Sequence, residues 1–453
     1  MGDSIDMQDG RPTPDAALAQ KCLRSFDGGV LCNVRTVKPE SYRAISALGP
    51  GQTPFVPRGQ GLSYAAASFG SSSTAIDMRS FDRVLDYDSD TGEVVVEAGM
   101  TLASLFEFLL RKGRYLPVQP GHGQISVGGC IAANVHGKNQ ARDGTFYDQV
   151  QQITLFHPRH GIVTVSREQS PTVFETTCGG YGLTGLILTA RLRTRRIPGG
   201  TVTMKTSVAD RPETGMEMIS KAAASCDVAY SWHDMIGTAG SGLVVTGSFD
   251  EGPLETERRQ RHRTISSEWR AAMPISVQTA LVGRAVNTLY RILNGPGERK
   301  VHLREALFPA QGKEIYFRLF GRAGFHEYQA IVPVLQFPEY IAQVRASARK
   351  HRVPIVLASG KSFDGVSKLL RFTGAGTCFA INVPRTRTSL DFLAELDGIA
   401  IDLGCRPNII KDARLPRSVV EATYPDYDRF KRLLSEWDPE RMFRSELSER
   451  LGL

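Results

Sequence analysis

The sequence lacks long apolar runs and paired cysteine motifs. Nowhere in its 453 residues is there a stretch near the roughly 20 apolar residues needed to cross a bilayer. The seven cysteines are scattered, odd in number and without a CxxC spacing, which excludes a disulfide-stapled miniprotein and argues against a metal site. The first ten residues are acidic and contain no apolar segment of the secretory type. We therefore expect a cytoplasmic protein with reduced thiols and no bound metal.

The composition is that of an ordinary globular protein with a modest basic surplus. Hydrophobic residues make up 41% of the chain and charged residues 23%, and this length predicts two or three domains. Lys and Arg number 55 against 47 Asp and Glu, so the net charge is +8. Such a surplus favours a phosphorylated substrate, a membrane surface or nucleic acid. Because the basic residues are spread along the chain rather than clustered with aromatics, we expect no nucleic-acid partner.

The pattern of short apolar runs changes near residue 200. Before it, short strand-like runs alternate with turns, and residues 101–113 have the apolar spacing of a helix. After it, strands alternate with helical stretches at 333–350 and 389–403, which predicts an α+β unit with an antiparallel sheet. Residues 252–305 are rich in Arg and poor in strand signals, so we expect loops or irregular helices there.

Three glycine-rich segments lie within 130 residues, at 57–64, 120–129 and 179–185. Glycine lets a backbone approach a ligand closely, and successive free N–H groups can then surround phosphate oxygens. None of the segments has the GxGxxG of a dinucleotide fold between a strand and a helix, or the GK[ST] of a P-loop. The three together predict one large, phosphate-bearing cofactor that lies across several loops.

The motifs in these segments resemble those of a flavoprotein family. The order R-G-x-G-x-S-Y, then P-G to H-G-K-N, then G-G-x-G-L-T-G is similar to the flavoproteins of the vanillyl-alcohol-oxidase type, which have a PCMH-type FAD-binding domain. The H-G-K-N segment at 136–139 and the segment 437–445 resemble the decaprenylphosphoryl-β-D-ribose 2'-oxidase branch. That branch supplies the flavin subunit of a polyprenyl-phosphoribose 2'-epimerase. The resemblance extends from about residue 20 over most of the chain.

The resemblance implies a three-part organisation. Residues 15–197 would form a two-part PCMH-type FAD-binding domain. Residues 198–406 would form a substrate or cap domain, in which helices flank an antiparallel sheet. Residues 407–453 would return to the FAD domain.

The resemblance also implies the cofactor and its contacts. Leu62 stands where family members with covalent FAD have a histidine, so non-covalent FAD is expected. The implied contacts are a pyrophosphate loop (Arg58, Gly59, Gln60, Gly61, Leu62, Ser63, Tyr64), the flavin side (Pro120, Gly121, Val127, Gly128, Gly129), the ring (Asn134, His136, Gly137, Lys138, Asn139) and the adenosine part (Gly182, Thr184, Gly185, Ile187).

The catalytic residues follow from the chemistry together with the resemblance. Oxidation of a secondary alcohol sends a hydride to the flavin and the hydroxyl proton to a base, which a neutral Lys, a His or a Tyr could provide. Lys411 matches an A-K-D-S-R type segment of the family and is the expected base, with Tyr64 and His136 nearby. The substrate-binding residues that the resemblance implies are Lys138, Trp232, Phe320, Gln329, Lys361, Cys378, Ala380, Asn382 and Lys411.

The sequence departs from the mycobacterial members at four positions of this pocket. Residues 378–384 correspond to an N-x-C-x-D-x-P type strand of those members, with Cys378 at the Asn position, Ala380 at the Cys position and Asn382 at the Asp position, and Asn408 replaces an aromatic residue. Alternate residues of a strand face the same side, so we expect the Cys378 thiol to face the pocket. These differences imply a changed lipid or sugar and leave the flavin assignment unaffected.

The implied function is oxidation of the 2'-hydroxyl of a polyprenyl-phospho-pentose, ribose, to the keto sugar. A NAD(P)H-dependent short-chain reductase would then complete epimerisation to the arabinose form, for arabinose biosynthesis in the cell envelope. The basic charge and the amphipathic residues 271–294 suit peripheral contact with the inner face of the plasma membrane. An aldonolactone or alditol oxidase of the same family that uses oxygen, similar to D-arabinono-1,4-lactone oxidase, remains the alternative. Leu62 counts against it.

Overall fold

The computed structural model describes residues 18–49, 53–236, 240–254, 273–312 and 315–453. The strands are β1 (Leu18–Arg24), β2 (Leu31–Val37), β3 (Phe55–Arg58), β4 (Thr74–Asp77), β5 (Val84–Tyr87), β6 (Glu93–Glu97), β7 (Arg114–Tyr115), β8 (Val150–His157), β9 (Gly161–Ser166), β10 (Leu186–Arg193), β11 (Arg195–Arg196), β12 (Thr201–Ala209), β13 (Val228–His233), β14 (Gly242–Phe249), β15 (Gly297–His302), β16 (Phe325–Val332), β17 (Leu357–Phe363), β18 (Gly376–Pro384) and β19 (Arg406–Pro407).

The α-helices lie between and after these strands. They are α1 (Tyr42–Ser46), α2 (Leu102–Leu110), α3 (Val127–Ala132), α4 (Gln140–Asp143), α5 (Phe146–Gln149), α6 (Pro171–Thr177), α7 (Pro212–Ala222), α8 (Ala280–Leu293), α9 (Leu303–Leu307), α10 (Ile315–Arg318), α11 (Phe337–Lys350), α12 (Arg387–Asp402), α13 (Arg417–Thr423), α14 (Tyr427–Trp437) and α15 (Glu446–Leu451). No helix in the described ranges is both long and apolar enough to span a bilayer.

Two smaller sheets carry the glycine-rich segments. The first has the order β1-β2-β4-β3, with β4 parallel to both of its neighbours, and the second has the antiparallel order β5-β6-β10-β8-β9. Helix α2 confirms the predicted helix at 101–113, because the Thr101 side chain caps it and its apolar positions are buried. The three segments therefore leave these layers at the end of β3, before α3 and before β10.

The large sheet has eight antiparallel strands in the order β15-β12-β14-β13-β17-β18-β16-β19. One face packs on α7, α11 and α12 through a core that includes Tyr328, Phe379 and Ile381. Residues at alternate positions of the same strands point to the other face, where the glycine-rich segments lie. The predicted α+β class with an antiparallel sheet is confirmed.

Residues 252–305 are more regular than the sequence predicts. Residues 255–272 lie outside the described ranges, but the rest contains α8, β15 and α9. Strand β15 lies at the sheet edge, and Val301 is its one buried residue. An edge strand that faces solvent carries charged side chains, and such a strand has no apolar alternation in its sequence. The expectation of loops at β15 was wrong for this reason.

The C-terminal segment lies against the start of the chain. The Phe55 N–H donates to Met442 O at 2.7 Å, and the Arg444 N–H donates to Phe55 O at 2.9 Å. Trp437 Nε1 donates to Thr184 O at 2.8 Å. The segment after α14 therefore hydrogen-bonds to β3, the strand at whose end the first glycine-rich segment begins.

Candidate active site

The three glycine-rich segments form one continuous surface. The Tyr181 N–H donates to Ala132 O at 2.8 Å, which joins the third segment to the helix that follows the second. A Cβ atom at Gly182 would lie 2.6 Å from Pro57 Cγ, so the third segment also packs closely on the first. Glycine at this position permits the approach, because real Cβ atoms do not come so near a neighbour.

The first segment presents an array of unpaired backbone donors. In the described part of the chain, the N–H groups of residues 60–64 have no hydrogen-bond partner. Gly61 adopts φ +70, and this lets the loop fold over the Arg58 guanidinium. Arg58 Nη1 also donates to Ser68 Oγ at 3.0 Å, and burial lowers the Arg58 pKa to about 10. Free amides beside a buried cation fit a pyrophosphate.

The second segment contributes close packing and one unsatisfied donor. A Cβ at Gly128 would come within 3.1 Å of Ala98 Cβ, so a side chain at this position would require Ala98 to shift. Asn134 is buried in the left-handed region at φ 42, and its Oδ1 accepts from the Tyr147 N–H at 3.0 Å. Its Nδ2 is buried without a partner among the described residues. A buried amide donor of this kind calls for an acceptor from a bound group, and FAD fits that requirement.

The remaining predicted cofactor residues differ in the space around them and in whether their side chains are buried. Around Gly121 the space is open, since a Cβ there would meet nothing closer than 3.9 Å. Thr184 and Ile187 are buried, and Thr184 Oγ1 is 2.9 Å from Thr177 Oγ1. The predicted adenosine contacts at Thr184 and Ile187 would therefore involve backbone rather than side-chain atoms.

His136 lies between the glycine-rich segments and the large sheet. Its Nδ1 donates to Gly137 O at 3.2 Å, and its ring meets the edge of Phe363 with centroids 4.7 Å apart. Burial holds the His136 pKa well below its usual value, and the Lys361 charge lowers it further. The imidazole is thus neutral near pH 7. Lys138 follows, with Nζ 4.4 Å from the centroid of the Tyr230 ring.

Most of the predicted substrate residues share one face of the large sheet. Gln329 pairs with Ala380, and Cys378 pairs with Lys361, across adjacent strands. Trp232 joins the same face through its pairing with Ser359, which lies opposite Ala380. Opposed residues of antiparallel strands point to the same side, so the sheet brings these side chains together.

A string of hydrogen bonds connects two of the departures from the mycobacterial pattern. Asn408 Nδ2 donates to Gln329 Oε1 at 2.6 Å, and Gln329 Nε2 donates to Cys378 Sγ at 3.3 Å. Burial raises the pKa of the Cys378 thiol to about 12, so it stays protonated at neutral pH. Burial lowers the pKa of Lys361 beside it. The amide at 408 and the thiol at 378 are therefore parts of one polar arrangement around Gln329.

Lys411 lies where the first glycine-rich segment meets the sheet. Its Nζ is 4.0 Å from the centroid of the Tyr64 ring and 3.2 Å from Glu327 Oε1. Asn382 Nδ2 donates to Glu327 Oε2 at 3.1 Å. The sequence reasoning missed Glu327, although it lies two residues before Gln329 and hence on the same face of β16.

Phe320 and Trp232 occupy the edges of this region. Phe320 is fully buried, with its ring centroid 5.0 Å from that of Phe325, which in turn packs against Tyr64. Trp232 packs against Tyr290 of α8 at 4.8 Å. Phe320 thus packs against Tyr64 only through Phe325, and Trp232 connects the sheet to α8.

Comparisons with known proteins agree with this geometry. Residues 39–166 match the FAD binding domain family. Decaprenylphosphoryl-beta-D-ribose oxidase of Mycolicibacterium smegmatis is 28% identical over 91% of this chain and 92% of its own length. D-arabinono-1,4-lactone oxidase of Yarrowia lipolytica is 32% identical over 24% of this chain and 20% of its own. Mitochondrial D-lactate dehydrogenase (cytochrome) of Arabidopsis thaliana is 31% identical over 35% of this chain and 29% of its own.

The shorter matches cover about a third of this chain or less, whereas the mycobacterial oxidase matches along nearly the whole chain. All three are named as oxidases or dehydrogenases. The glycine-rich surface, its free amides and the unsatisfied Asn134 donor fit the same cofactor. Together these findings support an FAD-dependent oxidoreductase in which residues 39–166 match an FAD-binding domain.

Proposed function

We propose that this flavoprotein oxidises the 2'-hydroxyl of a polyprenyl-phospho-ribose to the keto sugar. The observation that carries the proposal is similarity to the mycobacterial oxidase over 92% of that protein's length, which includes the substrate side. We also propose the division into residues 15–197 for FAD, 198–406 for substrate and 407–453 as the returning segment.

The residues at the site have suitable roles for this reaction. The amides of residues 60–64 and Arg58 would hold the pyrophosphate of FAD without a covalent link. Bound FAD supplies the acceptor for the carbinol hydride. Lys411 would contact the reacting hydroxyl beside Tyr64 and the neutral His136. For the other cofactor and substrate residues that the family resemblance implied, we propose the same binding roles.

Cationic side chains around the site suit a substrate phosphate. Lys138 follows α3 in the H-G-K-N segment, and Lys361 lies in β17. Lys361 is partly shielded from water, and a phosphate would add to the stabilisation that the nearby Glu327 gives its charge. We assign the phosphate of the lipid-linked sugar to this pair.

Helix α8 suits the lipid part of such a substrate. Its outward side carries Leu281, 79% exposed, and Ile292, 73% exposed, together with the exposed Arg284. Its inner side packs Tyr290 on Trp232. An apolar stripe flanked by arginine suits peripheral contact with an anionic bilayer from which the prenyl chain would enter. A flotation assay with anionic vesicles should show binding that Leu281→Asp together with Ile292→Asp weakens.

The product chemistry implies a partner. A keto sugar that is to become the arabinose form needs a hydride at the same carbon from the opposite face. We therefore propose a NAD(P)H-dependent short-chain reductase as the partner that consumes the product.

The alternative is oxidation of a soluble aldonolactone or alditol with oxygen as acceptor. It is favoured by the 32% identity to D-arabinono-1,4-lactone oxidase, which is limited to 20% of that protein. A match to so small a part of that protein leaves the substrate open.

One experiment separates the two functions. The purified protein should show flavin absorbance that moves entirely to the supernatant on acid precipitation. Anaerobic addition of polyprenyl-phosphoribose should then bleach the flavin, and free alditols and lactones should not. Bleaching by the soluble sugars alone would replace the proposal with the alternative. A colourless protein that takes up no FAD would contradict both.

A further inference from the structure

The contact between Glu327 and Lys411 bears on which residue accepts the hydroxyl proton of the substrate. A single lysine can accept a proton only in its neutral form. Lys411 Nζ, however, lies 3.2 Å from Glu327 Oε1, and in this ion pair the ammonium group faces the carboxylate. Lys411 therefore needs a group to which it can pass a proton as it receives one.

We propose that Glu327 is the residue that receives the substrate's hydroxyl proton through Lys411, so that the pair acts as the base. This rests on the proposed oxidation of a sugar alcohol. The hydroxyl proton moves to Lys411 Nζ as one N–H proton of Lys411 moves to Glu327 Oε1. The carbinol C–H electron pair leaves as hydride to the bound FAD, and the C–O bond becomes C=O. Lys411 ends as it began, an ammonium, and Glu327 ends as a carboxylic acid.

The carboxylate is held in position for this role. Glu327 is 12% exposed and Lys411 29% exposed, so water competes little for their contact. Asn382 Nδ2 donates to the other carboxylate oxygen at 3.1 Å, and the Tyr316 hydroxyl donates to Asn382 Oδ1 at 3.4 Å. Both carboxylate oxygens thus have fixed partners, and Oε1 is the one aimed at the lysine. Glu327 is therefore a positioning residue for Lys411.

Several titratable groups surround this carboxylate from the elements packed on β16. They are Lys411 from the C-terminal loop, Lys361 from β17, Cys378 from β18, Tyr64 from the first glycine-rich segment and Tyr316 from α10. Burial keeps the pKa of Cys378, Tyr64 and Tyr316 above their ordinary values, so all three are neutral near pH 7. Lysines are the only cations among these described groups, and Lys411 is the one in direct contact with the Glu327 carboxylate.

The test compares Glu327→Gln with Glu298→Gln, the same change on the exposed edge strand β15. A general base contributes roughly 100-fold or more, so Glu327→Gln should slow anaerobic bleaching at least that much at every pH, with FAD content retained. Glu327→Asp should recover part of the rate, and Glu298→Gln should match the unaltered protein. If Lys411 acts as the base without Glu327, the opposite result is expected, and Glu327→Gln should bleach the flavin as fast as the unaltered protein or faster.

A second readout is independent of rate. The infrared difference spectrum between the oxidised and the substrate-reduced holoprotein should gain a protonated-carboxyl band that is missing from Glu327→Gln. Absence of this band from the unaltered protein overturns the proposal. If Glu327→Gln does not fold, Asn382→Ala replaces it, with an expected loss of about tenfold. An unchanged rate in that variant contradicts the relay.

Separate measurements test the proton relay and the proposed oxidation. The substrate panel identifies which alcohol bleaches the unaltered protein, whether a lipid-linked pentose or a soluble sugar. The Glu327 comparison is then made with that alcohol. A bleaching alditol combined with an unaffected Glu327→Gln variant would overturn both.

Discussion

The glycine-rich surface and the substrate face of the large sheet recognise their ligands in opposite ways. The first offers backbone amides at residues 60–64 and close packing on Pro57 that glycine permits at Gly182. The second offers side chains, such as Gln329 and Lys361, which β16 and β17 bring together. A site built from backbone restricts its own sequence, whereas a site built from side chains can change its chemistry while the sheet stays the same. The comparison explains why the cofactor motifs persist where the substrate residues depart.

The largest effect should come from adding a side chain to the backbone site. Gly61→Ala places a Cβ against the Arg58 guanidinium at a φ of +70. Gly161→Ala is a matched control, because its φ is +67 and nothing lies within 4 Å. Both changes should cost about 1 kcal/mol of stability from backbone strain. Gly61→Ala alone should lower FAD content more than tenfold, measured as flavin absorbance per protein. Equal FAD loss in both would mean that strain, not the cofactor surface, matters.

A smaller effect should come from the side-chain site. Gln329→Ala leaves Asn408 and Cys378 without their partner, which costs about 1–3 kcal/mol for buried polar groups. The Michaelis constant should rise about tenfold while FAD content is unchanged. Gln343→Ala on α11 serves as the control, because Gln343 is only half-buried and its hydrogen bond to Glu339 is exposed to water. Loss of FAD in Gln329→Ala would show that the two sites are not separable.

The smallest effect concerns His136, where the two sites meet. Its folded pKa is depressed by burial and Lys361, so the unfolded chain binds a proton that the folded chain does not. Through this group, the free energy of unfolding is highest above pH 6.5. It decreases as pH falls below 6.5, by up to about 1.4 kcal/mol per pH unit. His136→Gln should flatten the dependence below pH 6.5 in denaturant titrations, and the exposed His302→Gln should not. A slope that survives His136→Gln must come from other groups.

The elements that the sequence predicted well have local causes. Helix α2 follows from the Thr101 cap and an apolar stripe, and the β5–β6 hairpin follows from the turn around Gly92. Strand β15 escaped prediction, because its place at the edge of the sheet depends on pairing with β12, nearly one hundred residues earlier. Local patterns do not carry such pairings.

The same limit applied to the candidate site. Lys411 and Tyr64 were predicted as neighbours through resemblance, and the structure brings them within 4.0 Å. Glu327 was missed because its role depends on strand register, which places it beside Lys411 from a separate part of the chain. The catalytic and binding roles of these residues stay predictions until the variants are measured.

The bond between Phe55 and the segment around Phe443 has a consequence for biosynthesis. Strand β3 is translated long before the residues around Phe443 that hydrogen-bond to it. Domains generally form as their sequence emerges, but β3 lacks these partners until the later segment has been made. We therefore expect the cofactor surface to be complete, and to load flavin, only after the segment around Phe443 has been translated.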